Sequence, residues 1–109
     1  MTAKMKKLLH KVKANLILQH DEDNEMLLSF IAAAVSYAET YQHRPENFYA
    51  KRGSNMTATT EQAVIMLSSH FYESRDGSTG GFFSDNVGAA AQVWNTVNRL
   101  LAMDKRWEV

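Results

Sequence analysis

Apolar residues recur at steps of three and four along four separate segments of this sequence, and no comparable stretch alternates in the manner of a strand. Steps of that size place side chains on one face of an α-helix, where they pack against neighbouring helices. Only one proline and five glycines are present to interrupt such helices. The pattern therefore predicts an all-α fold of about four helices, near residues 4–18, 22–43, 60–75 and 85–103.

The apolar positions of each segment define the helical face expected to form the core. In the first two segments they are Met5, Leu8, Leu9, Val12 and Leu16, then Leu27, Phe30, Ile31, Ala34, Ala38 and Tyr41. In the fourth segment they are Ala90, Trp94, Val97 and Leu101. The third segment is apolar nearly all round at its start, from Ala63 to Leu67, which predicts the central helix of the domain.

Polar residues at the segment ends predict where the helices begin and end. Asp21 or Asp23 is expected to begin the second helix, with a carboxylate that accepts hydrogen bonds from the free amides of the first turn. Pro45 ends this helix, because proline disfavours helical geometry in the residue before it. Thr59, with Gln62 three residues later, predicts a capping box at the third helix.

The length of 109 residues predicts a single domain over residues 1–109. The Gly-rich stretch Asp76–Gly81 predicts a flexible loop between the third and fourth helices. The chain has no cysteine, which excludes disulfides, thiolate catalysis and cysteine-ligated zinc. Lysines interrupt every apolar core that a secretion signal would need, and no apolar run approaches the roughly 20 residues that cross a bilayer. We therefore expect synthesis in the cytoplasm and no membrane partner.

Charge is balanced in total but uneven along the chain. Twelve basic and twelve acidic residues give zero net charge, which argues against a dedicated binder of polyanions. The first 20 residues nevertheless carry five lysines and no acid, and four acids follow within the next five. The predicted electrostatic contacts are Lys4, Lys6, Lys7, Lys11, Lys13, Asp21, Glu22 and Asp23. This uneven charge either orients neighbouring copies of the chain or steers the N-terminal end toward an acidic partner. The third alternative is that the charged residues simply form a solvent-exposed helix face.

No pattern in the sequence predicts an active site. The four histidines, His10, His20, His43 and His70, lack any short spacing typical of a metal site. The acidic run lacks the glycine and the terminal glutamate of a calcium loop, and the Gly-rich stretch lacks the lysine of a phosphate-binding loop. We therefore expect no enzymatic activity, no cofactor, and no catalytic, cofactor-binding or metal-binding residues.

Large aromatic residues in two polar regions are the candidates for contacts with a partner. Phe82 and Phe83 follow the Gly-rich stretch, where they form either a satellite core or an anchor that docks on a partner. Arg106 and Trp107 lie close to the C-terminal residue of the sequence. These four residues are predicted interface residues.

Several short segments, taken in order, carry a resemblance that extends over most of residues 6–107. They are Leu8–Leu18, Asp21–Asp23, Leu27–Ala34, Tyr37–Pro45, Gln62–Leu67, His70–Arg75, Leu100–Leu101 and Arg106–Trp107. The most specific is the Tyr72-Glu73-Ser74-Arg75 helix end, which follows an apolar helix led by Ala63. In this order the segments resemble the small helical head–tail connector, or adaptor, family of tailed phages and prophages.

This resemblance implies structural work in a virion rather than catalysis. Members of the family assemble as a ring beneath the portal of a filled capsid, extend the DNA channel and offer a platform for the next tail component. They are often described as DNA-packaging proteins. The implied partners are other copies of the chain, the portal protein, a head-completion or tail component and, at most non-specifically, DNA. The implied location is the head–tail junction, after synthesis in the host bacterial cytoplasm.

A closed ring needs one face of each subunit to complement a different face of the next. The basic N-terminal segment and the acidic patch after it are the predicted pair of faces. The lysines either line the DNA channel, where weak phosphate attraction suits sliding DNA, or face neighbouring subunits or solvent.

Two other functions are alternatives to this one. A small helical regulator that binds DNA through its basic first helix would show a steep dependence of binding on salt. The zero net charge and the lack of a helix-turn-helix signature argue against it. An enzyme built in a helical bundle would need a convergent polar cluster in a core pocket, which the spacing does not predict.

Overall fold

The computed structural model describes residues 2–51, 53–75 and 87–105, with side chains in the last range from residue 90 onward. This part of the chain forms four α-helices and no strand. The helices are α1 (Ala3–Leu16), α2 (Asn24–Tyr41), α3 (Ala58–Ser74) and α4 (Val87–Ala102), with a 3₁₀ turn at Phe48–Ala50. The prediction of a compact all-α domain of four helices is confirmed. The predicted flexible loop lies outside the described residues.

The core is built from the apolar faces that the sequence predicts. Its buried side chains are Leu8, Leu9, Val12, Leu27, Ile31, Ala34, Ala38, Ala63, Val64, Ile65, Leu67, Tyr72, Val97 and Leu101. Helix α3 packs against each of the other three helices, as expected of a central helix, and α2 shares that position. The small side chains of Ala34, Ala38 and Ala63 are fully buried, which fits a close approach between α2 and α3.

Helix α1 begins at a side-chain cap and ends in a left-handed residue. The Thr2 hydroxyl accepts a hydrogen bond from the Met5 amide at 3.2 Å, which satisfies one free donor of the first turn. At the other end Ile17 adopts φ 57° and ψ 44°. Its amide donates to the Ala14 carbonyl, and the next amide, of Leu18, donates to the Lys13 carbonyl. This geometry turns the chain sharply toward α2.

The predicted start of α2 is right in position and wrong in mechanism. Asp23 occupies the cap position, but its carboxylate makes no hydrogen bond with the amides of the first turn. It instead accepts a hydrogen bond from the hydroxyl of Tyr72 on α3. The Asp21 carboxylate is also directed elsewhere, to Lys13 and Asn24. A tertiary contact has replaced the local one.

The predicted capping box of α3 is wrong by two residues. Thr57, not Thr59, is the cap, and its hydroxyl accepts a hydrogen bond from the Thr60 amide at 3.2 Å. Thr60 is fully buried while Ala58 is exposed, so one side of the first turn of α3 faces the core. Burial of Thr60, which side-chain preference alone does not reveal, sets the register of the cap.

Candidate functional site

The five lysines of α1 fall into three different environments. The Lys4 ammonium donates to the backbone carbonyls of Tyr49, Lys51 and Ser54, at 2.9, 2.5 and 3.3 Å. This charge therefore fixes the connection between α2 and α3 to the start of α1. Three convergent carbonyls are a complete hydrogen-bonding shell for an ammonium group.

Two further lysines pair with acids of the same chain. Lys11 forms an exposed ion pair with Glu61 of α3. Lys13 donates to the carboxylate of Asp21 at 2.6 Å and to the side-chain oxygen of Asn24 at 2.9 Å. The hydrogen bond and charge of Lys13 hold the pKa of Asp21 below its ordinary value. These pairs connect α1 to α3 and to the turn before α2.

The remaining two lysines project from the protein. Lys6 and Lys7 are exposed and form no ion pair or hydrogen bond with the residues that the structure describes. At the other end of α1, Glu22 and Glu25 are exposed and equally unpaired within the described ranges. The predicted charge polarity thus reduces to exposed cations near the start of α1 and exposed acids beyond its end.

A buried polar network, absent from the sequence predictions, joins the ends of three helices. Gln42, fully buried after α2, donates to the Thr60 hydroxyl at 2.8 Å and to the Leu101 carbonyl at 3.1 Å. Its side-chain oxygen accepts a hydrogen bond from the hydroxyl of Tyr49. The Thr60 hydroxyl in turn donates to the Asp104 carboxylate at 2.8 Å. Burial raises the pKa of Tyr49, which keeps its hydroxyl a donor.

The buried Glu39 carboxylate extends this network by holding backbone rather than side chains. It accepts hydrogen bonds from the amides of Asn47 and Tyr49, at 3.2 and 3.0 Å. Glu39 lies four residues after half-buried Val35 and eight after buried Ile31, so helical spacing places it on the buried face of α2, although its charge favours an exposed position. All polar atoms of the Glu39–Gln42–Thr60 group serve internal contacts, so the arrangement organises the fold and offers no group for chemistry on a substrate.

A row of half-buried aromatic rings joins α2, α3 and α4. The rings of Tyr37 and Trp94 meet edge to face at 5.2 Å, and the Tyr37 hydroxyl donates to Asn98 at 2.6 Å. Phe71 lies 6.1 Å from both Trp94 and Phe30. This row packs against the core beside the smaller buried residues.

A groove of about 500 Å³ opens between α1, α2 and the connection that follows α2. Met5, Leu8, Val35 and Met56 supply apolar lining, and Lys7 is among the charged residues around it. Its other charged groups are largely engaged: Lys4 and Glu39 hold backbone, and Glu61 pairs with Lys11. Exposed Glu46 is the remaining acid there. The groove therefore offers an apolar surface with few charges rather than a catalytic cluster.

Two further features are lacking among the described residues. No helix among them is both long and apolar enough to span a membrane. No three of their histidine or acidic side chains converge as a metal site would require. The predicted interface residues Phe82, Phe83, Arg106 and Trp107 lie outside the described residues.

Comparison with known proteins identifies the family. Residues 6–100, most of the chain, match the phage gp6-like head-tail connector protein family. The chain belongs to this family. No curated protein and no solved structure matches the chain significantly.

Family membership confirms the resemblance seen in the sequence and fixes the broad class of the protein. It is a structural, non-enzymatic phage head–tail connector. The family implies association with portal or tail components at the head–tail junction of the virion.

Proposed function

We propose that this protein assembles as a closed homo-oligomeric ring beneath the portal, where it extends the DNA channel and bridges capsid to tail. The match of residues 6–100 to the connector family carries this proposal. On its lower side the ring would present a platform to a head-completion or tail component.

The charge distribution supports assembly through two different faces. Exposed Lys6 and Lys7 lie near the start of α1, and exposed Glu22 and Glu25 lie beyond its end. A subunit whose basic and acidic surfaces are separated can join head to tail, and such contacts close into a ring when the rotation permits. Opposite charges on the two faces also favour the correct orientation during encounter.

Exposed lysines allow a second contact that the same assembly would use. Lys6 and Lys7 would attract DNA phosphates weakly if they faced the channel, without fixing a sequence. The alternative function, a DNA-binding regulator, would also use a contact between these lysines and DNA. The two differ because a regulator needs specific binding by the unassembled chain.

Native mass spectrometry of the full-length chain, alone and with its cognate portal protein, tests the proposal. We expect a single closed oligomer, either at high concentration or on the portal. A chain that stays monomeric and does not bind the portal would refute the ring. Steep salt-dependent binding of that monomer to a defined DNA sequence would then favour the regulator.

A further inference from the structure

Ile17 is an unusual residue for the place it occupies. It has a left-handed backbone at the end of α1, with φ 57°, and its side chain is 82% exposed. Left-handed geometry is unfavourable for a residue with a Cβ, and most of all for a β-branched one, so helix ends of this kind usually carry glycine. Among the residues that the structure describes, His43 and Asn47 are the other non-glycine residues with a left-handed backbone, and both types tolerate this geometry better.

Neither the fold nor the core accounts for isoleucine at this position. Glycine would make the same turn without strain, and an exposed apolar side chain gains nothing from burial within the chain. Residues that break a local preference without internal compensation occur most often at functional sites. A contact with another molecule would bury the Ile17 side chain and supply the missing compensation.

The groove beside the start of α1 provides a matching surface on the same protein. Its apolar lining of Met5, Leu8, Val35 and Met56 suits a branched aliphatic side chain. Its volume of about 500 Å³ exceeds one isoleucine, so neighbouring residues would enter with it. The groove and Ile17 lie toward opposite ends of α1, about 14 to 20 Å apart along the helix at a rise of about 1.5 Å per residue. One chain therefore cannot fill its own groove with Ile17.

Opposite charges on the α1 side of the groove favour the same pairing between two copies, and exposed Glu46 lies in the connection after α2. Exposed Glu22 follows Ile17 within the turn between α1 and α2, and Glu25 lies just beyond it. Lys7 lines the groove and Lys6 is its neighbour in sequence, both exposed. Docking the turn into the groove would bring the acids toward these lysines.

We propose that Ile17 of one subunit docks in the groove of the next and forms the repeating contact of the ring. This inference rests on the proposed self-assembly and names its contact. The surfaces on the two partners differ, as a head-to-tail contact requires. In this contact Ile17 is the apolar anchor, and its burial offsets the strain of its backbone.

Cysteine trapping tests the geometry, since the natural chain has no cysteine. The Ile17→Cys and Ser36→Cys variants are mixed and oxidised, with and without the portal protein. Ser36 is chosen because it is exposed and lines the groove. We expect a mixed disulfide between the two variants and little dimer of Ile17→Cys with itself. Ser29→Cys is the matched control, because Ser29 is exposed on the same helix but does not line the groove. An equal yield with the control would overturn the proposal.

Ile17→Gly tests the energetic argument. The variant should unfold at a higher temperature as a monomer and yet self-associate at least about tenfold more weakly, since strain and anchor are lost together. His43→Gly relaxes a second left-handed residue without removing an apolar anchor, and its assembly should match the natural chain. If the natural chain assembles and Ile17→Gly assembles equally well, the ring stands and this contact is wrong. If the natural chain never assembles, alone or on the portal, both proposals fail.

Discussion

At the scale of single residues, the buried Gln42 side chain joins the end of α2 to α3, to α4 and to the 3₁₀ turn. Its amide nitrogen donates to Thr60 and to the Leu101 carbonyl, and its oxygen accepts from Tyr49. A buried amide with all of these bonds fixes one relative position of α2, α3 and α4. A buried amide without hydrogen-bond partners would lower the free energy of unfolding. Substitution within the network should therefore change stability measurably.

Gln42→Ala should destabilise the protein by about 3 kcal/mol, because it leaves a cavity and removes partners from two buried hydroxyls. Urea unfolding followed by circular dichroism measures the change. Gln62→Ala is the control, since Gln62 is exposed on α3 and its loss should change stability by less than about 0.5 kcal/mol. A similar small effect at both positions would show that the network does not hold the helices.

The hydrogen bond between Tyr72 and Asp23 makes the stability of the protein change with pH in the alkaline range. The Asp23 carboxylate, by accepting this bond, raises the pKa of Tyr72 above its ordinary value of 10.0. The folded protein therefore holds the phenolic proton more tightly than the unfolded chain does. This contribution is complete below pH 10.0 and is lost as the pH rises through the higher folded pKa.

Tyr72→Phe should therefore lose less stability than the natural chain as the pH rises above about 10. This variant should still lose some stability at alkaline pH, because burial raises the pKa of Tyr49 as well. Asp23→Asn removes the charge that raises the Tyr72 pKa and should flatten the profile in the same way. Urea midpoints across the alkaline range measure this, and unchanged profiles in both variants would contradict it.

At the scale of the elements, apolar spacing predicts the helices well and polar signals predict their ends poorly. The apolar faces of α1 and α2 are buried as expected because burial of a continuous face decides where a helix lies. Asp23 and Thr59 looked like caps on preference alone. Asp23 is instead bound to Tyr72, and the first turn of α3 is set by burial of Thr60. Contacts distant in sequence override local preference, and they leave no periodic signal.

The Lys4 ammonium of α1 holds the connection between α2 and α3, together with the Glu39 carboxylate of α2. Lys4→Met keeps the apolar stem of the side chain but removes its ammonium group, so it should loosen the connection at residues 45–57. We expect a stability loss of about 1 kcal/mol, reduced by partial exposure, and faster amide exchange in the connection. Hydrogen exchange measured by mass spectrometry follows both. Lys6→Met is the control, because Lys6 is exposed without a described partner, and equal exchange in the two variants would disprove the role of Lys4.

At the scale of the whole molecule, the sequence predicted the class of function but not the internal use of its charges. The family resemblance and the all-α domain are confirmed. The sequence predicted the five N-terminal lysines as one set of contacts, but three of them bind other parts of the same chain. Sequence position cannot separate these from exposed Lys6 and Lys7, because the partners of Lys4 and Lys11 lie about 50 residues away. The left-handed geometry of Ile17 was equally invisible, since nothing in residue type announces it.

The aromatic candidates Phe82, Phe83 and Trp107 lie outside the described residues, and their role in assembly is a prediction that substitution can test. Simultaneous alanine replacement of Phe82, Phe83 and Trp107 should leave the unfolding midpoint of the monomer unchanged and abolish ring formation or portal binding, because we expect these rings to anchor a partner. Native mass spectrometry and a portal pull-down measure the second effect. Arg106→Ala is a separate variant that tests the neighbouring charge. A fall in the unfolding midpoint with unchanged assembly would instead place Phe82 and Phe83 in a satellite core, and the ring contacts would then have to come from the helical surfaces.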